Sequence, residues 1–110
     1  MNESQVIKAL SALAQETRLQ IIRYLVACGK DGAAAGTIGE EVNSSASRLS
    51  FHLNILENAG LVTSKRVSRR IFYSASYEQM GGMIGYLLED CCGNHPEVTS
   101  CCMPGTSNIS

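Results

Sequence analysis

The sequence predicts a mostly α-helical fold with a small β-hairpin, and two observations lead to this prediction. Over the first 60 residues, apolar side chains recur at the three- and four-residue intervals of amphipathic helices. Over residues 61–75 the pattern changes to short runs rich in Val, Ile, Phe, Tyr and Thr, which are typical of strands. A chain of 110 residues has the size of one domain and is long enough to bury a core.

The first two helices are predicted from an apolar stripe and a capping pattern. Val6, Leu10 and Leu13 fall on one face of the first helix. Thr17 begins a T-x-x-Q capping box that is expected to open the second helix, which ends near Gly29. The Gly- and Ala-rich segment that follows is predicted to be a loop.

The next two helices form a helix-turn-helix candidate. Thr37 begins a T-x-x-E capping box and is expected to open a short helix. After the turn-forming residues 43–45, Ser45 is expected to cap a longer helix that runs to about Ala59. A short helix, a tight turn and a longer helix make up this motif.

A hairpin and a final helix complete the predicted domain. Residues 61–66 and 70–75 are the two strands, and residues 67–69 form the tip between them. The last helix begins at Ser76 and ends at Gly93. We expect one domain over residues 1–92 and a flexible tail over residues 93–110.

Charge is unevenly distributed along the chain, and this distribution favours contact with DNA. The formal net charge is −1, yet residues 42–77 hold five basic residues and one acidic residue, Glu57. This basic segment coincides with the helix-turn-helix and the hairpin. The chain has no apolar run long enough for a membrane span and no export signal pattern, so we expect a cytoplasmic protein without a membrane partner.

The expected DNA contacts lie on the second helix of the motif and on the hairpin, because the beginning of that helix meets base edges and a basic hairpin follows the backbone or enters the minor groove. The candidates are Ser45, Ser47, Arg48, Ser50, Phe51, His52, Asn54, Lys65, Arg66, Arg69 and Arg70. Three of them have alternatives. Instead of contacting DNA, Arg48 could form a surface ion pair and Phe51 could pack on the neighbouring helix. His52 could be a packed, hydrogen-bonded histidine.

Cysteine is concentrated at the end of the chain. Two adjacent pairs, Cys91-Cys92 and Cys101-Cys102, lie within the last twenty residues. In a reducing compartment such clustering indicates soft-metal binding or redox chemistry. The fifth cysteine, Cys28, shares a helix face with apolar residues and is expected to be a core residue.

Three stretches resemble the ArsR/SmtB family of winged-helix repressors. They are residues 15–22 (QETRLQII), 50–62 (SFHLNILENAGLV) and 69–74 (RRIFYS). The resemblance implies a winged helix-turn-helix, a homodimer formed through the first and last helices, repression at a near-palindromic operator, and release by a metal or metalloid. The expected dimer interface comprises Val6, Leu10, Leu13, Met80, Met83, Ile84, Leu87 and Leu88. For the five residues of the last helix, intramolecular packing is the alternative.

This sequence departs from the family at two places where relatives commonly bind their inducer. Residues 36–42 contain no cysteine, and the last helix contains no histidine. The C-terminal cysteines resemble those of relatives that bind arsenite at the C-terminus through a vicinal cysteine pair and a later cysteine. The expected ligands are therefore Cys91 and Cys92 with Cys101 or Cys102 as the third, and the expected inducer is As(III) or Sb(III).

Other functions stay open at this point. Four thiols would also suit cadmium, lead or zinc, and a thiol-redox switch or a constitutive DNA-binding protein is compatible with the same residues. The chain has no Cys-x-x-Cys at a helix start and no evident base partner for the cysteines, so we do not expect an enzyme. The predicted function is a metalloid-responsive transcriptional repressor.

Overall fold

The computed structural model describes residues 1–102, with the backbone alone for Cys102. The elements in chain order are α1 Glu3–Leu13, α2 Glu16–Cys28, β1 Ala33–Ala34, α3 Ala35–Glu41, α4 Ala46–Asn58, β2 Val62–Val67, β3 Arg70–Ala75, α5 Tyr77–Tyr86 and α6 Pro96–Cys102. A π-helical turn, Leu87–Cys91, follows α5 directly. The prediction of a mostly helical fold with a small antiparallel hairpin is confirmed. Within residues 1–102, no helix combines the length and the apolar character needed to cross a bilayer.

The core is formed where α1, α2, α3 and α4 meet the beginning of the hairpin. Its most completely buried large side chains are Ile21, Leu25, Ile38, Leu53, Leu56, Leu61 and Val62. Burying a side chain of this size contributes about 1.5–3 kcal/mol. The predicted stripe of α4, Leu49, Leu53 and Leu56, faces this core. The opposite face of α4 is consequently left on the surface.

The sheet has a third strand that the sequence did not predict. The strand order is β1-β3-β2, all antiparallel, with Ala33 opposite Tyr73 and Ala34 opposite Phe72. The predicted loop therefore contains β1, which passes so close to β3 that a Cβ at Gly32 would overlap the carbonyl oxygen of Tyr73. Two residues are too few to show a strand periodicity, so only the pairing with β3 defines this strand.

Two of the predicted helix caps are wrong. The N-cap of α2 is Gln15, whose side chain accepts from the Arg18 N–H at 2.9 Å, and Thr17 lies inside the helix. Helix α3 begins directly after β1 with Ala34 at its N-cap and no side-chain cap, so Thr37 is also inside a helix. A different side-chain cap begins α2, whereas the strand that precedes α3 sets its first residue.

The other two predicted caps are confirmed. The hydroxyl oxygen of Ser45 accepts from the Arg48 N–H at 3.4 Å and begins α4. The hydroxyl oxygen of Ser76 accepts from the Gln79 N–H at 3.2 Å and begins α5. Each serine follows a turn or a strand end, where the backbone is already extended and the side chain is free to cap.

The part of the predicted tail that the structure describes contains a helix. After Cys92 and a turn at Gly93 and Asn94, both with positive φ, the chain forms α6. Pro96 occupies the first position of this helix, where its fixed φ and missing N–H are tolerated. Residues 103–110 of the predicted tail lie outside the described residues.

Candidate nucleic-acid interface and cysteine pair

Helices α3 and α4 form a helix-turn-helix with a tight turn. Asn43 in the turn has a φ of 53°, and the Ser44 N–H donates to the Gly39 carbonyl at 2.9 Å. A Cβ at Gly39 would lie 3.3 Å from the Ser44 carbonyl oxygen and 3.4 Å from Leu49 Cδ2, so glycine permits this close approach. The turn thus sets α4 against α3 with its beginning at the protein surface.

The surface of α4 carries most of the predicted base-reading residues. The exposed candidates on and before this helix are Ser45, Ser47, Arg48, Ser50, Phe51 and Asn54. Phe51 is 60% exposed, so most of its side chain is at the surface; packing on the neighbouring helix was the alternative for this residue. The Phe51 ring meets the edge of the His52 ring, with centroids 5.4 Å apart.

His52 lies on the inner side of α4 and not with these residues. The ring is half-buried, and its Nδ1 lies 3.1 Å from Nη1 of Arg18. Burial, followed by the charges of Arg18 and Arg48, lowers the pKa of His52. These contacts favour the alternative for His52, a packed and hydrogen-bonded histidine, over the predicted DNA contact.

The wing is the hairpin of β2 and β3, and its tip is one residue shorter than predicted. Val67 pairs with Arg70, so Ser68 and Arg69 alone form the turn, with Ser68 at a φ of 59°. All four predicted basic side chains of the wing are exposed, namely Lys65, Arg66, Arg69 and Arg70.

The basic side chains of the wing divide between its two faces. Lys65 is opposite Phe72, and Arg70 lies over the Phe72 ring at 5.2 Å from its centroid, so these two cations share one face. Arg66 belongs to the other face, and Arg69 is at the tip. One face and the tip can therefore approach a single DNA groove together.

A side-chain hydrogen bond that the sequence did not predict joins the wing to α4. The Ser64 hydroxyl on β2 donates to Glu57 Oε2 near the end of α4 at 2.6 Å. The carboxylate of Glu57, after burial, also raises the pKa of Tyr73 on β3. Glu57, the one acid of the basic segment, thus belongs to the joint between the helix and the wing.

The structure brings two of the four C-terminal cysteines together. The Sγ atoms of Cys91 and Cys92 are 3.6 Å apart, which is longer than a disulfide bond of about 2.05 Å. Cys91 is exposed and Cys92 half-buried, while Cys101 is exposed on α6. In the part of the chain that the structure describes, no three His, Cys, Asp or Glu residues cluster as metal ligands would. The side chain of Cys102 lies outside the described residues.

The fifth cysteine is separate from this pair. Cys28 is half-buried at the end of α2 and packs against the core, as predicted. A side-chain hydrogen bond with Cys28, together with burial, raises the pKa of Tyr24.

The predicted dimer residues divide between the core and the surface. Val6 is 2% exposed and Met83 5% exposed, so both are buried in the core of one protomer, which was the alternative for Met83. Leu13, Met80, Leu87 and Leu88 are half-buried, whereas Leu10 and Ile84 are exposed. Ile7, which was not predicted, is 61% exposed. Helices α1 and α5 contact each other, so their exposed residues Ile7, Leu10 and Ile84 are here called the α1/α5 surface.

Replacing Ser45 with alanine is expected to lower the free energy of unfolding by about 1 kcal/mol, because the first turn of α4 loses its side-chain acceptor. The measurement is urea denaturation followed by circular dichroism. Ser47→Ala is the matched control, since Ser47 is exposed in the same turn and is not the cap. An equal loss in both variants would contradict the capping role.

A helix-turn-helix followed by a basic wing defines a winged helix-turn-helix protein that binds DNA. Consistent with this class, a family model for a helix-turn-helix domain matches residues 13–65.

Two curated relatives are similar to this chain over most of its length. The nodulation protein NolR of Rhizobium meliloti is 37% identical over 80 residues, which are 73% of this chain and 63% of NolR. The transcriptional activator HlyU of Vibrio cholerae is 31% identical over 86 residues, which are 78% of this chain and 77% of HlyU. The match to NolR thus spans less than two thirds of that protein.

Solved structures support the same assignment. An ArsR-like transcriptional regulator from Rhodococcus sp. RHA1 superposes with a TM-score of 0.72 at 25% identity, covering 88% of this chain and 89% of that one. The homodimeric winged helix-turn-helix domain of a possible ArsR-family regulator from Mycobacterium bovis gives a TM-score of 0.64 at 26% identity, covering 84% and 85%. The chain therefore belongs to the ArsR-like family of helix-turn-helix transcriptional regulators. The predictions of a winged helix-turn-helix and of a regulator that is not an enzyme are confirmed.

Proposed function

We propose that this regulator is a repressor that binds operator DNA as a homodimer and is released when As(III) or Sb(III) binds cysteine thiolates. The observation that carries the proposal is the Cys91–Cys92 pair, with sulfur atoms 3.6 Å apart at the end of the π-helical turn. Two exposed or half-exposed thiols this close are suited to a soft ion that takes several sulfur ligands.

DNA binding in this proposal uses the surface of α4 and the wing. Arg48, Ser47 and Asn54 are on the exposed side of α4, where polar side chains reach base edges in the major groove. The exposed Phe51 is suited to a thymine methyl group. Arg69 and the face formed by Lys65 and Arg70 supply the positive charge that attracts phosphate or enters the minor groove.

The homodimer in this proposal forms through the α1/α5 surface. Ile84 is 47% exposed and Ile7 61% exposed, which leaves apolar area on two adjacent helices for a second copy to cover. An added Cβ at Gly81 or Gly85 of α5 would meet nothing within 4 Å, so a partner has room to approach this helix. Two-fold symmetry places two α4 helices on successive half-sites of a near-palindromic operator.

Inducer binding in this proposal is a ligand exchange without electron transfer. Arsenite enters as As(OH)₃, and each arsenic–sulfur bond that forms replaces an arsenic–oxygen bond. The thiol proton leaves with the displaced hydroxide as water. Cys91 and Cys92 supply two sulfurs, and Cys101 or Cys102 on α6 supplies the third. Residues 93–100 separate Cys92 from Cys101, and closing a loop of this length costs modest entropy.

The coupling to DNA runs through α5 in this proposal. The π-helical turn that carries Cys91 continues α5, and α5 contacts α1. Drawing α6 back onto Cys91 and Cys92 strains the end of α5 and changes the spacing of the two α4 helices. A coupling of about 1–3 kcal/mol corresponds to roughly 5- to 150-fold weaker DNA binding, and DNA weakens inducer binding by the same factor.

A second candidate function is a repressor that responds to oxidants through its thiols. The observation that favours it is that the Cys91 and Cys92 sulfur atoms lie 3.6 Å apart, so one oxidant can reach two thiols. Peroxide would take two electrons and two protons from two of these thiols, giving one disulfide and two molecules of water.

The deciding experiment measures DNA binding of the full chain by fluorescence anisotropy. The probe is a labelled duplex, selected by the reduced protein from a random pool of about 30 base pairs to cover two half-sites, and called the selected duplex below. Arsenite, antimonite, cadmium, zinc and peroxide are added separately. We expect release by arsenite and antimonite only. Release by cadmium but not arsenite would contradict the metalloid inducer, and release by peroxide alone would establish the second candidate.

A further inference from the structure

We propose that Arg18 is a positioning residue for DNA recognition, because its guanidinium joins the end of α1 to the inner side of α4. Arg18 Nε donates to the Ala12 carbonyl oxygen at 2.6 Å, and Arg18 Nη1 lies 3.1 Å from His52 Nδ1. The inference rests on the DNA-binding part of the proposed function and is independent of the inducer.

The two hydrogen-bond partners of Arg18 lie on α1 and α4, and the relative position of these helices determines how α4 meets DNA. Ala12 is in the last turn of α1, where the carbonyl groups have no further N–H of their own helix to accept from. His52 is one helical turn after Arg48, whose side chain is exposed on the DNA side of α4. One half-buried guanidinium therefore links a helix of the α1/α5 surface to the helix that meets DNA.

Hydrogen bonds add directional information that the apolar contacts of α4 lack. Leu49, Leu53 and Leu56 hold α4 against the core, but apolar burial is non-directional. The two contacts of the planar guanidinium restrict rotation and sliding of α4. Base-edge hydrogen bonds tolerate only a few tenths of an ångström, whereas non-specific binding depends on charge. Loss of the Arg18 contacts should therefore lower specific binding and leave non-specific binding unchanged.

The Arg18–His52 contact requires a neutral imidazole. Nη1 donates to Nδ1 only when the ring proton is on Nε2. The charged groups facing His52 are Arg18 from α2 and Arg48 from α4, and Lys8 of α1 lines the same cavity as Arg18. All three are cations, so an imidazolium here meets only like charges.

The sign of the pH dependence follows from the lowered pKa. Burial first, and the two arginines second, hold the pKa of His52 below its ordinary value of 6.5. The contact is complete above that value. It is lost as the pH falls through the lowered pKa, because the protonated ring has no acceptor at Nδ1 and repels Arg18.

The test compares Arg18→Lys, His52→Asn and wild type in the absence of any thiophilic ion. Binding to the selected duplex and to an unrelated duplex of equal length is measured from about pH 7.5 to about pH 4.5, because the pKa of His52 lies below the ordinary histidine value. Arg18→Lys keeps the charge but not the planar fork. It should weaken binding to the selected duplex about 10-fold and leave binding to the unrelated duplex within about twofold.

The histidine variants supply the readout that a merely structural role would not change. Wild-type affinity for the selected duplex should fall about 10-fold towards the acidic end, and His52→Asn, which offers an amide oxygen that does not titrate, should flatten this profile. The matched control is His95→Asn at the other histidine of the chain, which should keep the wild-type profile. The proposal is overturned if Arg18→Lys keeps the wild-type ratio of affinities for the two duplexes, whether or not both affinities fall. It is also overturned if the affinity of His52→Asn has the wild-type pH profile.

Discussion

Replacing Cys91 and Cys92 together with serine is expected to abolish the release of DNA by arsenite, while the variant still binds the selected duplex. The serine hydroxyl is a hard donor that does not replace a thiolate towards a soft ion. In the double variant Cys101 and Cys102 are the cysteines that remain of the two C-terminal pairs, and their two sulfurs do not complete a three-thiolate site. The roughly 5- to 150-fold weakening expected for the wild type should disappear from an anisotropy titration with arsenite.

The control for this double variant is Cys28→Ser, because Cys28 packs against the core at the end of α2 and is separate from the pair. It should retain the full response to arsenite. Cys101→Ser and Cys102→Ser, made singly, should differ from each other and identify the third ligand. A double variant that still releases DNA on addition of arsenite would remove the Cys91–Cys92 pair from the mechanism.

The parts of the fold that local sequence determines were predictable. Helix α4 has a serine cap directly before its thirteen residues and a leucine stripe within them, and both were predicted correctly. The capping patterns at Thr17 and Thr37 are equally good as patterns but lie inside helices. Gln15, two residues earlier, caps α2 instead of Thr17, and β1 leads straight into α3, so only at Thr37 did the course of the chain overrule the capping pattern.

The parts that depend on distant partners were not predictable. Arg18 and His52 are 34 residues apart, and no spacing rule connects an arginine in one helix to a histidine in another. The same limit applies to the prediction of the dimer residues. Helical periodicity identifies an apolar stripe but not which neighbour covers it, so Val6 and Met83 were assigned to a partner although the protomer's own core buries them.

Replacing Ile84 with glutamate is expected to convert the proposed dimer into a monomer and to weaken binding to the selected duplex by at least about 100-fold. In a two-fold interface the substitution appears twice, so two carboxylates would be buried against apolar side chains without a partner. A monomer also loses the gain of roughly 10²–10⁴ that comes from linking two half-site contacts in one molecule. Sedimentation equilibrium measures the association, and anisotropy measures the DNA affinity.

The matched control is Ile71→Glu, which puts the same charge at an exposed isoleucine on the wing. It should weaken DNA binding by repelling phosphate but should sediment as a dimer, because the wing is separate from the α1/α5 surface. An Ile84→Glu variant that remains dimeric would move the interface away from α5. Since the π-helical turn with Cys91 continues α5, the inducer would then need a different route to the recognition helices.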